Sequence, residues 1–136
     1  MKLTAQQVFD NALFGLRKQR IKSLGKDHVC MYRGTTTKGE TLRCGIGFSV
    51  DDDIGKMMDE SDGPAIASLV ASNQDVRSIF GHLNLHFLRE LQAAHDETLA
   101  SDAESEDEVE VVRCMSYFET AMSNIADTYK LNYTKD

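Results

Sequence analysis

The fold class depends most on residues 30–53, whose sequence is CMYRGTTTKGETLRCGIGFSVDDD. Within residues 28–50, β-branched and aromatic residues lie on both sides of a polar, glycine-containing turn, TTTKGET, which predicts two strands joined as a hairpin. A hairpin alone is only marginally stable in water, so we expect this one to pack against helices. The sequence therefore predicts an α+β fold, mostly helical, with about four helices packed on a small β-hairpin.

Four segments outside the hairpin show the spacing of amphipathic helices. Residues 4–24 open with Thr4 and Gln7 at the spacing of a capping box, in which each side chain satisfies a free backbone N–H. Pro64 precedes a short apolar helix over residues 65–71, while residues 74–98 and 109–129 carry apolar side chains every three or four positions. Three aspartates at 51–53 are typical of the cap of one more short helix.

Length and charge limit the classes of function. The 136 residues predict a single domain over residues 1–136, with an acidic connector at 101–110 and a frayed tail at 131–136. A net charge of −7 argues against direct binding to nucleic acid or to an anionic membrane. No apolar run approaches the roughly 20 residues that span a bilayer, and the first residues lack the apolar core of a signal peptide. We therefore expect a cytoplasmic protein with reduced thiols.

The cysteines and histidines do not have the spacing of a known metal motif. Cys30 and Cys44 are fourteen residues apart, whereas the cysteines of a zinc knuckle are separated by about two to four residues. His82 and His86 have the i, i+4 spacing of ligands on one helix. The glutamate of an H-E-x-x-H site is absent between them, because the sequence there is HLNLH. We therefore expect two buried cysteines and two surface histidines.

A cysteine nucleophile is the other chemistry to consider. Cys44 with His95 as the base, oriented by Asp96, has the residue types of a Cys–His pair. Catalysis by such a pair also needs an activated thiolate and an oxyanion site, and no local sequence signature supports either. We therefore predict no catalytic residue, no metal and no cofactor, and a protein that is not an enzyme.

The hairpin region carries a set of residues with two interpretations. In the first, its arginines form an internal ion-pair network with the neighbouring aspartates and seat the hairpin. In the second, the arginines and glycine backbone N–H groups hold a small anionic ligand such as a nucleotide phosphate, although neither a P-loop nor a G-x-G-x-x-G motif is present. The residues of this candidate ligand site are Arg33, Arg43, Gly45, Gly47 and Asp52.

The acidic connector also has two interpretations. A run of carboxylates is usually a solvated loop that keeps a protein soluble. Alternatively, closely spaced carboxylates imitate a phosphate backbone and bind a basic protein surface. The residues of this candidate partner surface are Glu104, Glu106, Asp107 and Glu108.

Several short motifs follow one another along the chain: Cys-x-Tyr-Arg, Cys-x-x-Gly, Asp-Asp, and Leu-x-x-Leu-Gln-x-x-His-Asp. In these motifs the chain resembles a family of small uncharacterised proteins of tailed phages and prophages. The opening segment TAQQVFDNALFGLRKQ also looks like the first helix of that family. The matching residues are Cys30, Tyr32, Arg33, Cys44, Gly47, Asp52, Asp53, Leu88, Leu91, Gln92, His95 and Asp96.

The chain departs from the family at three places. Asp51 stands where the family has proline, Gly15 replaces a histidine of the first helix, and residues 101–110 look like an insertion or a divergent loop. The matched His95 and Asp96 are expected to dock against the hairpin. These departures leave most of the chain in register with the family.

The resemblance implies a phage-encoded protein of the bacterial host cytoplasm, but it does not imply a mechanism. Because small phage proteins often inhibit host factors, we expect this one to bind and inhibit a host protein or an anti-phage defence factor. The acidic surface favours a basic target, including one that itself binds nucleic acid. The alternative is a small-ligand or nucleotide-binding module, for example a signal-sequestering protein. Leu85 and the pair Met57 and Met58 are expected to be exposed, which favours a homodimer.

Overall fold

The computed structural model describes residues 2–24, 30–36, 38–61, 65–101 and 106–135. Over these ranges the chain is mostly helical, with a two-stranded antiparallel hairpin after the first helix, which confirms the predicted α+β class. The described residues form more helices than the four predicted. In chain order the elements are α1 (Ala5–Gln19), β1 (Arg33–Thr35), β2 (Thr41–Arg43), a 3-10 turn (Gly47–Ser49), α2 (Asp52–Asp59), α3 (Ile66–Ser72), α4 (Gln74–Phe80), α5 (Leu85–Thr98) and α6 (Glu108–Tyr129).

The helix predicted over residues 74–98 is in fact two helices, which is one reason for the higher number. Asn84 has an extended backbone, and its side chain accepts the His86 N–H at 2.8 Å, so it caps the start of α5. An asparagine that caps a new helix cannot also continue the previous one. The first helix is likewise shorter than predicted, because Arg20 adopts a left-handed conformation (φ 69°) and ends α1.

The local capping signals in the sequence are confirmed. Thr4 accepts the Gln7 N–H at 3.1 Å while the Gln7 side chain accepts the Thr4 N–H at 2.9 Å, which is the predicted capping box. Asp51 accepts the Ile54 N–H at 2.9 Å and caps α2. Each of these contacts joins residues three positions apart, so each depends only on local sequence.

The hairpin is smaller than residues 28–50 predicted. Its strands pair Arg33 with Arg43 and Thr35 with Thr41, and they are three residues long. After β2 the chain leaves the sheet and makes the 3-10 turn, where the Gly47 N–H donates to the Cys44 sulfur at 3.3 Å. Residues 44–50 are therefore a packed turn rather than the rest of a strand.

The core lies where α5 packs against α6, α3 and α1. The rings of Phe87 and Tyr129 meet edge to face, with centroids 5.3 Å apart. This arrangement puts α5 at the centre of the fold, so residues on its remaining face lie beside the hairpin and α3. The largest fully buried side chains include Phe9, Phe80, Phe87, Phe118, Leu13, Leu16, Leu88, Leu91 and Met122.

Residues 131–133, predicted to fray, make specific contacts with α1 and α6. The Gln6 side chain and the Asn132 backbone exchange two hydrogen bonds of 2.8 and 3.0 Å. Tyr133 donates to Glu119, which also forms a two-pronged ion pair with Arg17 at 2.8 Å. These contacts argue against fraying at this part of the tail.

The side chains that suggested a homodimer are not freely exposed. Met58 is fully buried, and Met57 and Leu85 are half-buried and pack against the core. A homodimer therefore stays a prediction without support from these three residues. Over the described ranges, no helix combines the length and the apolar character needed to cross a membrane.

Candidate functional site

α5 carries polar side chains that bind the segments on either side of the hairpin. Gln92 accepts the Ile46 N–H at 3.2 Å and also hydrogen-bonds the Tyr32 side chain. One turn later, His95 accepts the Ser23 N–H at 2.8 Å. His95 therefore contacts the segment that leads into the hairpin, and not the hairpin itself as expected. Gln92, which was not among the predicted site residues, makes the contacts nearest to the hairpin.

The hydrogen bonds of His95 determine the position of its ring proton. The side chain is fully buried, and a backbone N–H can only donate, so the Nε2 atom facing Ser23 must carry a lone pair. The proton therefore lies on Nδ1, which donates to Asp96 Oδ1 at 2.6 Å. Both ring nitrogens are engaged, so His95 has no free nitrogen with which to accept a proton from a thiol.

Cys30, His95 and Asp96 bring a sulfur, a ring nitrogen and a carboxylate oxygen within 4.8 Å of one another. These atom types are all used as zinc ligands in proteins. A metal on Nδ1, however, requires the ring proton to be on Nε2, where it would face the Ser23 N–H. Two donors would then oppose each other inside the protein. The three residues fit a hydrogen-bond network and do not fit a metal ion in this arrangement.

The two thiols near the hairpin are protonated at neutral pH. Burial, reinforced by the neighbouring Asp96 carboxylate, raises the pKa of the Cys30 thiol to about 12. Burial also raises the pKa of the Cys44 thiol to about 12, even though the Gly47 N–H donates to its sulfur. Burial would raise the pKa of Asp96 as well, but hydrogen bonds from His95 and Cys30 outweigh it and lower that pKa. The site therefore holds an ionised carboxylate and no thiolate.

This protonation state predicts slow alkylation of the native thiols. At pH 8, Cys30 and Cys44 should react with iodoacetamide roughly a thousandfold more slowly than free cysteine, because the thiolate is the reactive form. Peptide mapping by mass spectrometry gives the rate for each residue separately. The control is the same protein in guanidinium chloride, where both thiols should react at the ordinary rate. A native Cys44 as reactive as free cysteine would contradict the buried, protonated state.

The predicted ligand-binding arginines are engaged with other groups of the protein. Arg43 pairs with Asp52 and also donates to the carbonyl oxygens of Gly47 and Val50 at 3.4 and 3.3 Å. The Nε atom of Arg33 lies 3.3 Å from the same Asp52 carboxylate. The geometry therefore shows the internal ion-pair network that was one of the two interpretations of these residues. Binding of an anionic ligand there stays a prediction.

The two glycines of that candidate ligand site allow close packing of the backbone. A Cβ atom at Gly47 would lie 2.0 Å from the carbonyl oxygen of Tyr32. A Cβ atom at Gly45 would lie 2.8 Å from the carbonyl oxygen of Leu91 on α5. Glycine is therefore required at both positions because another segment of the same chain occupies the space.

A cavity of about 570 Å³ lies beside this region, between α3, α5 and the segment leading into β1. We call it the α5 cavity. None of the five predicted ligand residues appears in its described lining. The α3 side is apolar, whereas α5 contributes charged and amide groups from a single face. The lining residues are Cys30, Tyr32, Ala65, Ile66, Ala67, Arg89, Gln92, Ala93, Asp96 and Glu97.

The predicted partner surface lies at the start of α6, although Glu104 is outside the described residues. Asp107 caps the helix by accepting the Glu110 N–H at 3.2 Å. Glu108 pairs with Arg20 at 2.6 Å, and Glu106 lies just before the cap with an exposed side chain. The structure therefore brings Glu106, Asp107 and Glu108 together next to the end of α1.

Exposed apolar side chains lie beside these carboxylates. They were not among the residues predicted from the sequence. Val109 is 80% exposed and Val112 is 54% exposed. Val112 also lines a shallow groove of about 340 Å³ between the end of α1 and α6. Their position within a strongly acidic segment, off the apolar stripe of α6, is the sequence signal that would have identified them.

Comparison with known proteins adds no relative: no family, curated protein or solved structure matches the chain.

Proposed function

We propose that this is a phage-encoded protein without catalytic activity, which binds and inhibits a host protein or an anti-phage defence factor in the bacterial cytoplasm. Binding takes place at the start of α6. We call this the α6 surface and define it by Glu106, Asp107, Glu108, Val109 and Val112. The observation that carries the proposal is the exposure of Val109 and Val112 beside three carboxylates.

Exposed valines offer apolar area that a partner can cover. Removing an apolar side chain from water stabilises a complex by about 25 cal/mol for each Å² buried. Val109 and Val112 are three positions apart on α6, so they lie on the same side of the helix. They therefore form a small apolar centre that one partner surface can cover.

The carboxylates determine which partner fits. Glu106, Asp107 and Glu108 lie at the N-terminal side of the apolar centre, which favours a target with basic residues beside an apolar contact. Proteins that handle nucleic acid carry such basic surfaces. Charge mimicry of a phosphate backbone accounts for the acids alone, whereas the valines favour recognition of a protein surface by shape as well.

The chemistry of the remaining polar clusters supports binding rather than catalysis. The Cys30 and Cys44 thiols are protonated, and both ring nitrogens of His95 are engaged. A Cys–His nucleophile requires a base with a free nitrogen within hydrogen-bond reach of the thiol. These residues therefore support a structural role for Cys30, Cys44 and His95.

Affinity capture from a bacterial host lysate, followed by mass spectrometry, should identify a partner with a basic surface. The triple variant Glu106→Gln, Asp107→Asn, Glu108→Gln should bind that partner about tenfold more weakly, mainly through a lower association rate at low salt. Asparagine at position 107 keeps the helix cap, so the fold should be retained. Val112→Ser should weaken binding through faster dissociation, since it removes buried apolar area.

The matched control is the triple variant Asp53→Asn, Glu60→Gln, Asp75→Asn, which removes the same charge from exposed positions on other helices. Its affinity should stay within about threefold of the original, because only the overall field changes. Equal loss in both triple variants would show that net charge alone drives binding. That result, or full affinity in the α6 variants, would overturn the proposed surface.

A further inference from the structure

The charged side chains of the α5 cavity lie at its two ends. Arg89 lies at one end, and Asp96 and Glu97 lie at the other. They share one face of α5 because seven or eight residues make about two helical turns. With a rise of about 1.5 Å per residue, the α carbon of Arg89 and those of the two acidic residues are separated by about 11–12 Å along the helix. A ligand that satisfies both ends must therefore be elongated and carry opposite charges at its two ends.

Two of the three charged groups are available to a ligand. Arg89 and Glu97 are exposed, and neither forms an ion pair within the described part of the chain. Asp96 is held in place by His95 and Cys30, and Lys22 adds positive charge nearby. Glu97 is thus the main partner for a cation, with the fixed Asp96 carboxylate behind it.

Between the charged ends, the walls are mostly apolar. Ala65, Ile66 and Ala67 line the side formed by the start of α3, and Ala93 lies opposite them on α5. The Gln92 amide in the lining is already engaged with Ile46 and Tyr32. The middle of the cavity therefore accepts small or branched apolar side chains.

We propose that the α5 cavity binds a short zwitterionic peptide of about three residues in an extended conformation. Its amino terminus lies at Glu97 and Asp96, its carboxylate lies at Arg89, and its side chains contact the apolar walls. An extended chain spans about 3.3–3.6 Å per residue, so three residues cover about 10 Å and reach from one charged end to the other. A nucleotide fits poorly, because two of the three charged groups in the described lining are carboxylates. The site is independent of the α6 surface.

The probe is the tripeptide Ala-Leu-Ala, compared by calorimetry with its N-acetylated and C-amidated forms. The free peptide should bind, and each blocked form should bind roughly fivefold more weakly, because each has lost one charge-assisted contact. Amide chemical shifts of residues 89–97 should move further with the free peptide than with either blocked form at matched concentration. Equal binding of the free and blocked peptides, or no binding at concentrations up to about 10 mM, would overturn the proposal.

Two variants assign the orientation. Arg89→Gln should abolish the preference for a free carboxylate over an amide, while the preference for a free amine remains. Glu97→Gln should reduce the preference for a free amine by about threefold and leave the carboxylate preference unchanged. Both positions are exposed, so both variants should fold, and Glu60→Gln serves as a control outside the cavity. Variants that change overall affinity without changing these preferences would also contradict the assigned orientation.

Discussion

Replacing Gly47 with alanine is expected to destabilise the protein by about 3 kcal/mol or more. The added Cβ would lie 2.0 Å from the Tyr32 carbonyl oxygen and 3.0 Å from its carbonyl carbon. Both are backbone atoms beside β1, so the clash cannot be relieved by rotating a side chain. Chemical denaturation should show a lower midpoint, and thermal unfolding should occur roughly 10 °C earlier.

Gly55→Ala is the matched control for this change. Gly55 lies inside α2, where a Cβ atom would meet Arg33 at 3.4 Å and Val50 at 3.7 Å, which are ordinary contact distances. Since alanine favours a helix over glycine by about 1 kcal/mol, this variant should be as stable as the original or slightly more stable. A Gly47→Ala protein with unchanged stability would show that Tyr32 and the 3-10 turn are not packed as described.

The second large effect is expected for His95→Ala, with a loss of about 3–5 kcal/mol. The substitution leaves the fully buried Ser23 N–H without its acceptor and removes the donor that holds Asp96. It also creates a cavity beneath the segment that leads into the hairpin. Urea unfolding followed by circular dichroism measures the change directly.

His86→Ala tests whether the loss of stability depends on the position of the histidine or only on the residue type. His86 is exposed in the first turn of the same helix, and its replacement should change stability by no more than about 0.5 kcal/mol. Similar losses for the two histidines would contradict a special role for His95. Stability of the His95→Ala protein close to that of the original would show that the Ser23 contact contributes little.

Local signals in the sequence predicted the parts of the fold that depend on near neighbours. The capping box of Thr4 and Gln7, the cap at Asp51 and the hairpin turn all involve residues a few positions apart. Apolar spacing continued from Phe80 to Phe87 across the break between α4 and α5, so periodicity alone could not reveal it. The break depends on Asn84, which is also acceptable inside a helix at modest cost.

The candidate sites were harder to predict because they depend on residues distant in sequence. His95 accepts a hydrogen bond from Ser23, which lies 72 positions away in the sequence. No feature of the sequence at either position predicts this contact. The α5 cavity includes alanines from the start of α3, which carry no chemical signal. The acidic residues before α6 were recognisable as a surface, and the position of Val112 off the apolar stripe of α6 was the signal that could have added it.

The pairing of Gln6 with Asn132 has a consequence for the order of events during synthesis. These residues are 126 positions apart, and Arg17 likewise pairs with Glu119 of α6, which is synthesised much later. At about 5–20 residues per second, a ribosome needs roughly 6–25 s to make the intervening chain. Throughout that interval α1 lacks the partners of Gln6 and Arg17, so these contacts form only after α6 and the tail have been made.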